Sequence, residues 1–371
     1  MKKKYITFSI VTLVLLVALI TSFNYFKTTN AYIDDSVNNQ TKITKGISMN
    51  LEQTAGAGNY KTVTRSSWPT EGYKFNAELS RCENGSTLSW DDTKKAVIVS
   101  GNLSDKCYVY FDIYQPTLAE YIKSQYTGTQ GDNGIYYHNS TLANGAGDNS
   151  YRYAGASDSV NNYVCLGSDE ATCPDANLFR IIGVFGAQTK VIRAKSVGDQ
   201  PWHSSLVNKS WSNSSLNTYL NGEYLTSLGT LADKIATTTW KVEGGYTTNL
   251  YDVPKTAYQY EVGSSSSSTT HDAKIGLMYV SDYGFAADSS EWTEKLGSYK
   301  SSSKNWLYLG SIEWTISRSS DNLYSAFYVK SGGVYSTYVT ESYVVRPSFN
   351  LESSVKYVSG SGTIENPIRI N

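Results

Sequence analysis

Histidine and cysteine, the residues that carry most metal binding and nucleophilic chemistry, are nearly absent: three His and four Cys stand in 371 residues. His138, His203 and His271 lie in separate polar stretches, none within an HExxH pattern or beside a Ser or Cys nucleophile motif. They read as surface histidines, and no metal or cofactor is expected. No glycine-rich dinucleotide or phosphate loop occurs. Charged residues make up only 18 % of the chain and nearly cancel to a net −1, so nothing electrostatic points to nucleic acid. Proline is scarce, with seven residues, and helix-forming Leu/Ala/Glu runs are few. A strand-rich chain with several helices follows. Asp282, Asp288, Glu291 and Glu313 are the carboxylates that a glycoside hydrolase would pair; without a motif they read as solvated loop charges.

What the chain has in excess is tyrosine, 31 residues, amid much Ser, Asn, Gly and Thr. Its start is different. Lys2, Lys3 and Lys4 precede an uncharged run from Tyr5 to Phe26, densest in apolar residues at Ile10–Ile20. Such a segment is a membrane anchor or a secretory signal. Basic residues on the inner side and Phe23, Tyr25 and Phe26 as interface aromatics suit the anchor. Thr29-Asn30-Ala31 offers a small-residue cleavage site for the signal. Either way the bulk of the chain lies outside the cytoplasm, at the cell surface or secreted. Residues 1–31 are taken as this segment and 32–46 as a polar stalk.

Residues 47–114 read as a small β domain. Its candidate strands begin at Ile47, Tyr60, Tyr73, Ser86, Ala96 and Cys107, with Asn84-Gly85 as a turn. A unit of this size has a thin core, and a Cys82–Cys107 disulfide would staple it. Cys165 and Cys173 form the second local pair. Four cysteines allow three pairings; the sequential one keeps each bond within one cluster of elements, and an exported chain favours disulfides over zinc. Residues 115–371 make the large domain. Pro116–Gln125 and Trp211–Asn221 read as helices, the second capped by Ser212 or Asn213, followed by a helical segment from Tyr224 to Ile235. Asn177–Phe185, Lys190–Ala194 and Lys274–Val280 read as buried strands. Asp132-Asn133-Gly134 and Asp148-Asn149-Ser150 offer oxygen ligands, but the calcium-loop spacing is not met and turns are the plainer reading.

The stretch from Lys304 to Leu351 carries the candidate site. Trp306–Leu309, Ile312–Ile316, Ser325–Val329, Val334–Thr340 and Val344–Phe349 read as strands, with a turn at Ser331-Gly332-Gly333. Phe327, Val329 and Val334 suit the core. Tyr324, Tyr328, Tyr335, Tyr338 and Tyr343, interleaved with Ser, Thr, Lys and Gly, suit a ligand face, because tyrosine gives large contact area at low rotamer cost. Trp306, Tyr308, Trp314 and Arg318 extend that face. The competing reading is that these tyrosines only cover a sheet, as β-propensity favours. Arg346, before Pro347, reads as a structural corner.

The run NLFRIIGVF, KVIRAKS, WSNSSLNTYLNGEYL, AKIGLMYVSDYGFA, WLYLGSIEWTISRSS and YVVRPSFNL resembles a family of extracellular proteins from gut Firmicutes. The family's large domain has no known function and is similar to C-type-lectin-like modules of the formylglycine-generating-enzyme type. RCENGSTLSWDDTKKAVIVSG and DKCYVYFD resemble the small module common in these proteins. The resemblance implies an α+β fold: a C-type-lectin-like large domain preceded by a small disulfide-stapled β unit and an N-terminal apolar helix. Calcium-binding lectins of that fold carry Glu-Pro-Asn and Trp-Asn-Asp; here the matching strand is Glu313-Trp314-Thr315-Ile316. The enzymes carry cysteines near the C-terminus; here none follows Cys173. The expectation is therefore a non-catalytic cell-surface binding or adhesion protein for a protein or glycan ligand. A carbohydrate hydrolase and a structural subunit of a surface layer or pilus-like filament are the alternatives.

Overall fold

The structure, a computed structural model, describes residues 46–69, 72–102, 105–206, 210–243, 245–299 and 302–371. The expected N-terminal apolar helix and nearly all of the stalk lie outside the described residues. Among those described, no helix is long and apolar enough to cross a membrane. The chain divides between Gln115 and Pro116 into two compact units, mixed α+β overall and mostly sheet.

The first unit holds β1 (Ile47–Glu52), β2 (Tyr60–Val63), β3 (Tyr73–Cys82), β4 (Thr87–Asp91), β5 (Ala96–Ser100) and β6 (Cys107–Ile113). Four strands form a sheet in the order β2-β1-β6-β3, and β4 and β5 make a hairpin. Met49, Leu51, Trp68, Val97, Val109 and Phe111 bury its small core. Cys82 and Cys107, directly opposite each other on β3 and β6, are joined by a disulfide.

The second unit contains β7 (Ile135–Tyr137), β8 (Tyr151–Tyr153), β9 (Tyr163–Cys165), β10 (Leu178–Phe185), β11 (Gln188–Arg193), β12 (Asp199–Pro201), β13 (Thr238–Val242), β14 (Thr269–Ala273), β15 (Ile275–Gly276), β16 (Glu313–Arg318), β17 (Ser325–Lys330), β18 (Gly333–Tyr338), β19 (Ser342–Val344), β20 (Ser348–Leu351), β21 (Tyr357–Ser359) and β22 (Ile368–Ile370). Its α-helices of five residues or more are α1 (Leu118–Ser124), α2 (Ser215–Tyr219), α3 (Pro254–Glu261) and α4 (Val280–Phe285). The larger sheet centres on β10 and β11, paired across a tight turn in which Gly186 takes φ +64°. β10 is buried along nearly its whole length, which is why it reads as a continuous apolar run. A second sheet runs β12-β19-β16-β17-β18. Ser331 and Gly332 both take positive φ in the two-residue turn between β17 and β18, the conformation that matches strand twist. The second disulfide joins Cys165 to Cys173, so both pairings agree with the sequence reading. Disulfides belong to an oxidising compartment.

Four elements differ from the sequence reading. α2 starts at Ser215, because the Ser214 side chain accepts the Asn217 N–H; Trp211–Asn213 is a 3-10 turn. Lys274–Val280 yields only the two-residue β15, and Val280 begins α4 instead. Trp306–Leu309 is a turn and not a strand: Trp306 and Leu307 are buried, Leu309 is exposed, and Trp306 donates its indole N–H to the Tyr153 carbonyl. Val344–Phe349 is broken at 345–347, where Pro347 lacks a donor and Arg346 turns inward.

Candidate functional site

The second sheet presents one outward row of aromatic rings. Phe327, Val329 and Val334 point inward and are buried. Alternation then sends Tyr328 and Tyr335 outward. Trp314 on β16 sits opposite Tyr328 on β17, which sits opposite Tyr335 on β18. Tyr343 on β19 completes the row, its ring centroid 4.8 Å from Trp314 and 5.0 Å from Tyr328. Tyr328 and Tyr335 are 5.9 Å apart. Trp314 is fully buried, with its indole N–H donated to the Gln200 carbonyl. It is the floor of the row; Tyr328 and Tyr343 are half-buried and Tyr335 is exposed. Burial, with Tyr343, Tyr251 and Tyr335 alongside, pushes the Tyr328 phenol up, so its hydroxyl remains a donor.

The other expected face residues lie elsewhere. Tyr338 is exposed, but it follows the parity of Val334 and Ser336, opposite to Tyr335. Tyr324 is exposed ahead of β17. Tyr308 is half-buried against the main core. Arg318 pairs with Glu243 at 3.3 Å.

A second site was not read from the sequence. A cleft of about 290 Å³ opens beside β11, β13, α3 and α4. Phe185, Trp240, Tyr258 and Tyr279 give it aromatic walls, and Asp148, Arg152, Lys190 and Asp282 line it with charge. Lys190 Nζ donates to Asp282 Oδ2 at 2.5 Å and lies 4.3 Å from the Tyr279 ring centroid. Arg152 donates to Asp148 Oδ2 at 2.6 Å and faces Asp282 Oδ1 at 3.6 Å. Burial pushes the Lys190 amine down, opposed by the Asp282 charge. Burial works to raise the Asp148 carboxyl, but the Arg152 charge and bonds from Ser150 outweigh it and bring it to about 2. Asp282 is held in place by its own helix, accepting the Tyr279 N–H at 2.9 Å. Behind it the buried Glu261 carboxylate accepts the N–H groups of Val280 and Ser281, each at 2.9 Å. Burial raises Glu261, against its hydrogen bonds from Ser281 and Ser317. Lys190 follows Gln188-Thr189 at the polar start of β11, so nothing in the sequence marked it as buried.

Both sites fall largely within one recognisable segment. Residues 187–353 match DUF6273, a domain of unknown function. No curated protein matches the chain, and no solved structure does. The DUF6273 segment contains the whole aromatic row together with Lys190, Lys241 and Asp282, while Asp148 and Arg152 come from outside it.

Two readings need correction. Asp282 and Glu313 of the DUF6273 segment are not solvated loop charges: both are buried, and Glu313 holds Arg346 through two bonds of 2.7 and 2.9 Å. Arg346 also donates to the Leu307 carbonyl, so it is a structural corner. Asp288 caps a 3-10 turn and Glu291 pairs with Lys304, so each of the four carboxylates has its own partner. Nor are the histidines all on the surface. His138 and His203 are buried, and only His271 is part-exposed, its Nε2 within 3.2 Å of Asn217 Nδ2. The two Asp-Asn stretches are turns: Asn133 and Asn149 take left-handed φ, and Asp132 accepts a bond from Thr127.

Proposed function

We propose that this chain is an exported, non-catalytic binding protein, with a C-type-lectin-like large domain that takes glycan ligands on the Tyr328–Tyr335–Tyr343 patch. The observation that carries the reading is the row itself: three tyrosines with partly open rings, seated on a buried tryptophan. A ring-shaped polyol has apolar CH faces that stack on such rings and hydroxyls that meet phenol tips. Lys330 and Thr337, each two residues along its strand from a tyrosine of the row, add polar groups to the same face, as a rim requires. The basic, apolar N-terminal segment would deliver the chain across the membrane and either hold it there or be cut off. Two disulfides fit that destination.

A glycan array probed with the exported chain tests this. Binding should be lost by roughly 2 kcal/mol in Tyr335→Ser, at an unchanged melting temperature, since Tyr335 is exposed. An array without hits, or hits indifferent to Tyr335, would sink the proposal.

A further inference from the structure

The cleft beside α3 and α4 is built on one face of the larger sheet. Register sets Arg152 on β8 opposite Gly183 on β10, Gly183 opposite Lys190 on β11, and Lys190 opposite Asn350 on β20. Two residues along, Phe185 and Gln188 pair on the same face. We propose that this cleft binds an uncharged polyol of monosaccharide size, independently of the tyrosine row.

Charge sets the first limit. The charged side chains lining the cleft are Arg152, Lys190, Asp148 and Asp282, two of each sign. Lys241 reaches the lining through its backbone, whose N–H donates to the Tyr279 hydroxyl at 2.9 Å. Its side chain alternates with that of the buried Trp240.

The hydrogen-bonding positions left open sit side by side. Asp282 Oδ1 accepts no hydrogen bond among the described residues and lies 3.6 Å from Arg152. Lys190 Nζ spends one of its three donors on Asp282 Oδ2. An ammonium placed on Asp282 Oδ1 would meet the Arg152 guanidinium. A carboxylate placed on Lys190 would meet Asp282 itself. These side chains are no more than 5 % exposed, so little water screens a like-charge contact among them. A hydroxyl both donates and accepts. Neighbouring hydroxyls therefore fill both positions and add no charge.

The rest of the lining fits the same ligand. About 290 Å³ has the room of roughly ten waters, the scale of one sugar ring. The half-buried rings of Phe185 and Tyr258 offer apolar surface to its CH groups. The Gln188 amide has no hydrogen-bond partner among the described residues, which leaves a donor and an acceptor for further hydroxyls.

The test uses the full chain carrying Tyr335→Ser, so that the tyrosine row contributes little to the readout. In calorimetric titration with glucose, galactose and mannose, at least one should bind one-to-one at millimolar concentration or below. The uronic acid and the amino sugar of the same configuration should each bind at least tenfold more weakly. Gln188→Ala in the same background should weaken the neutral hexose about fivefold, the effect of one lost hydrogen bond. Its melting temperature should not change, since Gln188 is half-buried and its amide bonds nothing among the described residues. Failure of all three hexoses to bind, a charged counterpart that binds as well as the neutral sugar, or indifference to Gln188→Ala would each overturn the inference. None of these outcomes bears on the tyrosine row, which the glycan array with the parent chain tests separately.

Discussion

At the scale of single residues, His138 shows how far composition misleads. A histidine in a polar stretch reads as surface. Here it is buried, packed against Phe285 at 4.8 Å and Trp292 at 5.1 Å between ring centroids, and its Nδ1 accepts the Ala146 N–H at 3.0 Å. That bond requires an unprotonated Nδ1. Burial drives the imidazole well below its ordinary value; the Arg152 charge adds to this, and Asp148 opposes it. Because the folded value is depressed, the unfolded chain takes up a proton first as pH falls below about 6.5. Stability is therefore full above that pH and declines below it, by up to about 1.4 kcal/mol per pH unit for one proton, until the folded value is reached. His138→Asn places an acceptor oxygen where Nδ1 was and does not titrate. Melting temperature followed from pH 7.5 to 4.5 should fall more steeply in the parent chain than in the variant. Parallel curves would show that His138 does not set the slope. The residues that were legible, Phe327, Val329, Val334 and the four cysteines, are those whose environment follows from strand parity or compartment. Lys190 was not, since its partner Asp282 lies on another element.

At the scale of elements, strands were read better than helix starts. Period-two alternation is a local property, so the strands beginning at Ile47, Tyr73, Cys107, Leu178 and Ser325 are close to their expected places. The same parity explains the split of the tyrosine face: counted from the inward Val334, Tyr335 faces out and Tyr338 does not. α4 failed because its cap is remote. Glu261, at the end of α3, supplies the acceptors for Val280 and Ser281, and apolar Lys274–Val280 carries no trace of that. The arrangement makes a sharp test. Glu261→Gln keeps the shape but exchanges one acceptor oxygen for a donor, which leaves a buried N–H unpaired. The expected cost is about 1–3 kcal/mol, read from urea unfolding monitored by tryptophan fluorescence. Glu261→Ala should cost at least as much. An unchanged midpoint in both variants would mean that the remote cap contributes nothing to α4.

At the scale of the whole molecule, the two units have unequal means of staying folded. The second buries a long continuous core that includes Trp202, Trp211, Trp240, Trp306 and Trp314. The first relies on a cluster around Met49, Trp68, Val97, Val109 and Phe111. Burial of that extent is marginal for independent stability, which gives the Cys82–Cys107 bond its weight. The bond spans 25 residues, and closing a loop of that length in the unfolded chain is worth about 3 kcal/mol. A loss of that size is comparable to the whole stability of a small domain. The double variant Cys82→Ala/Cys107→Ala should therefore unfold the first unit selectively. In differential scanning calorimetry of the full chain, a lower-temperature transition should shift down or vanish, while the transition of the second unit, with Cys165–Cys173 intact, stays in place. Glycan binding, assigned to the second unit, should persist in the same variant. If the two units instead melt together and shift together, the first is not an independent folding unit, and its disulfide serves the chain as a whole.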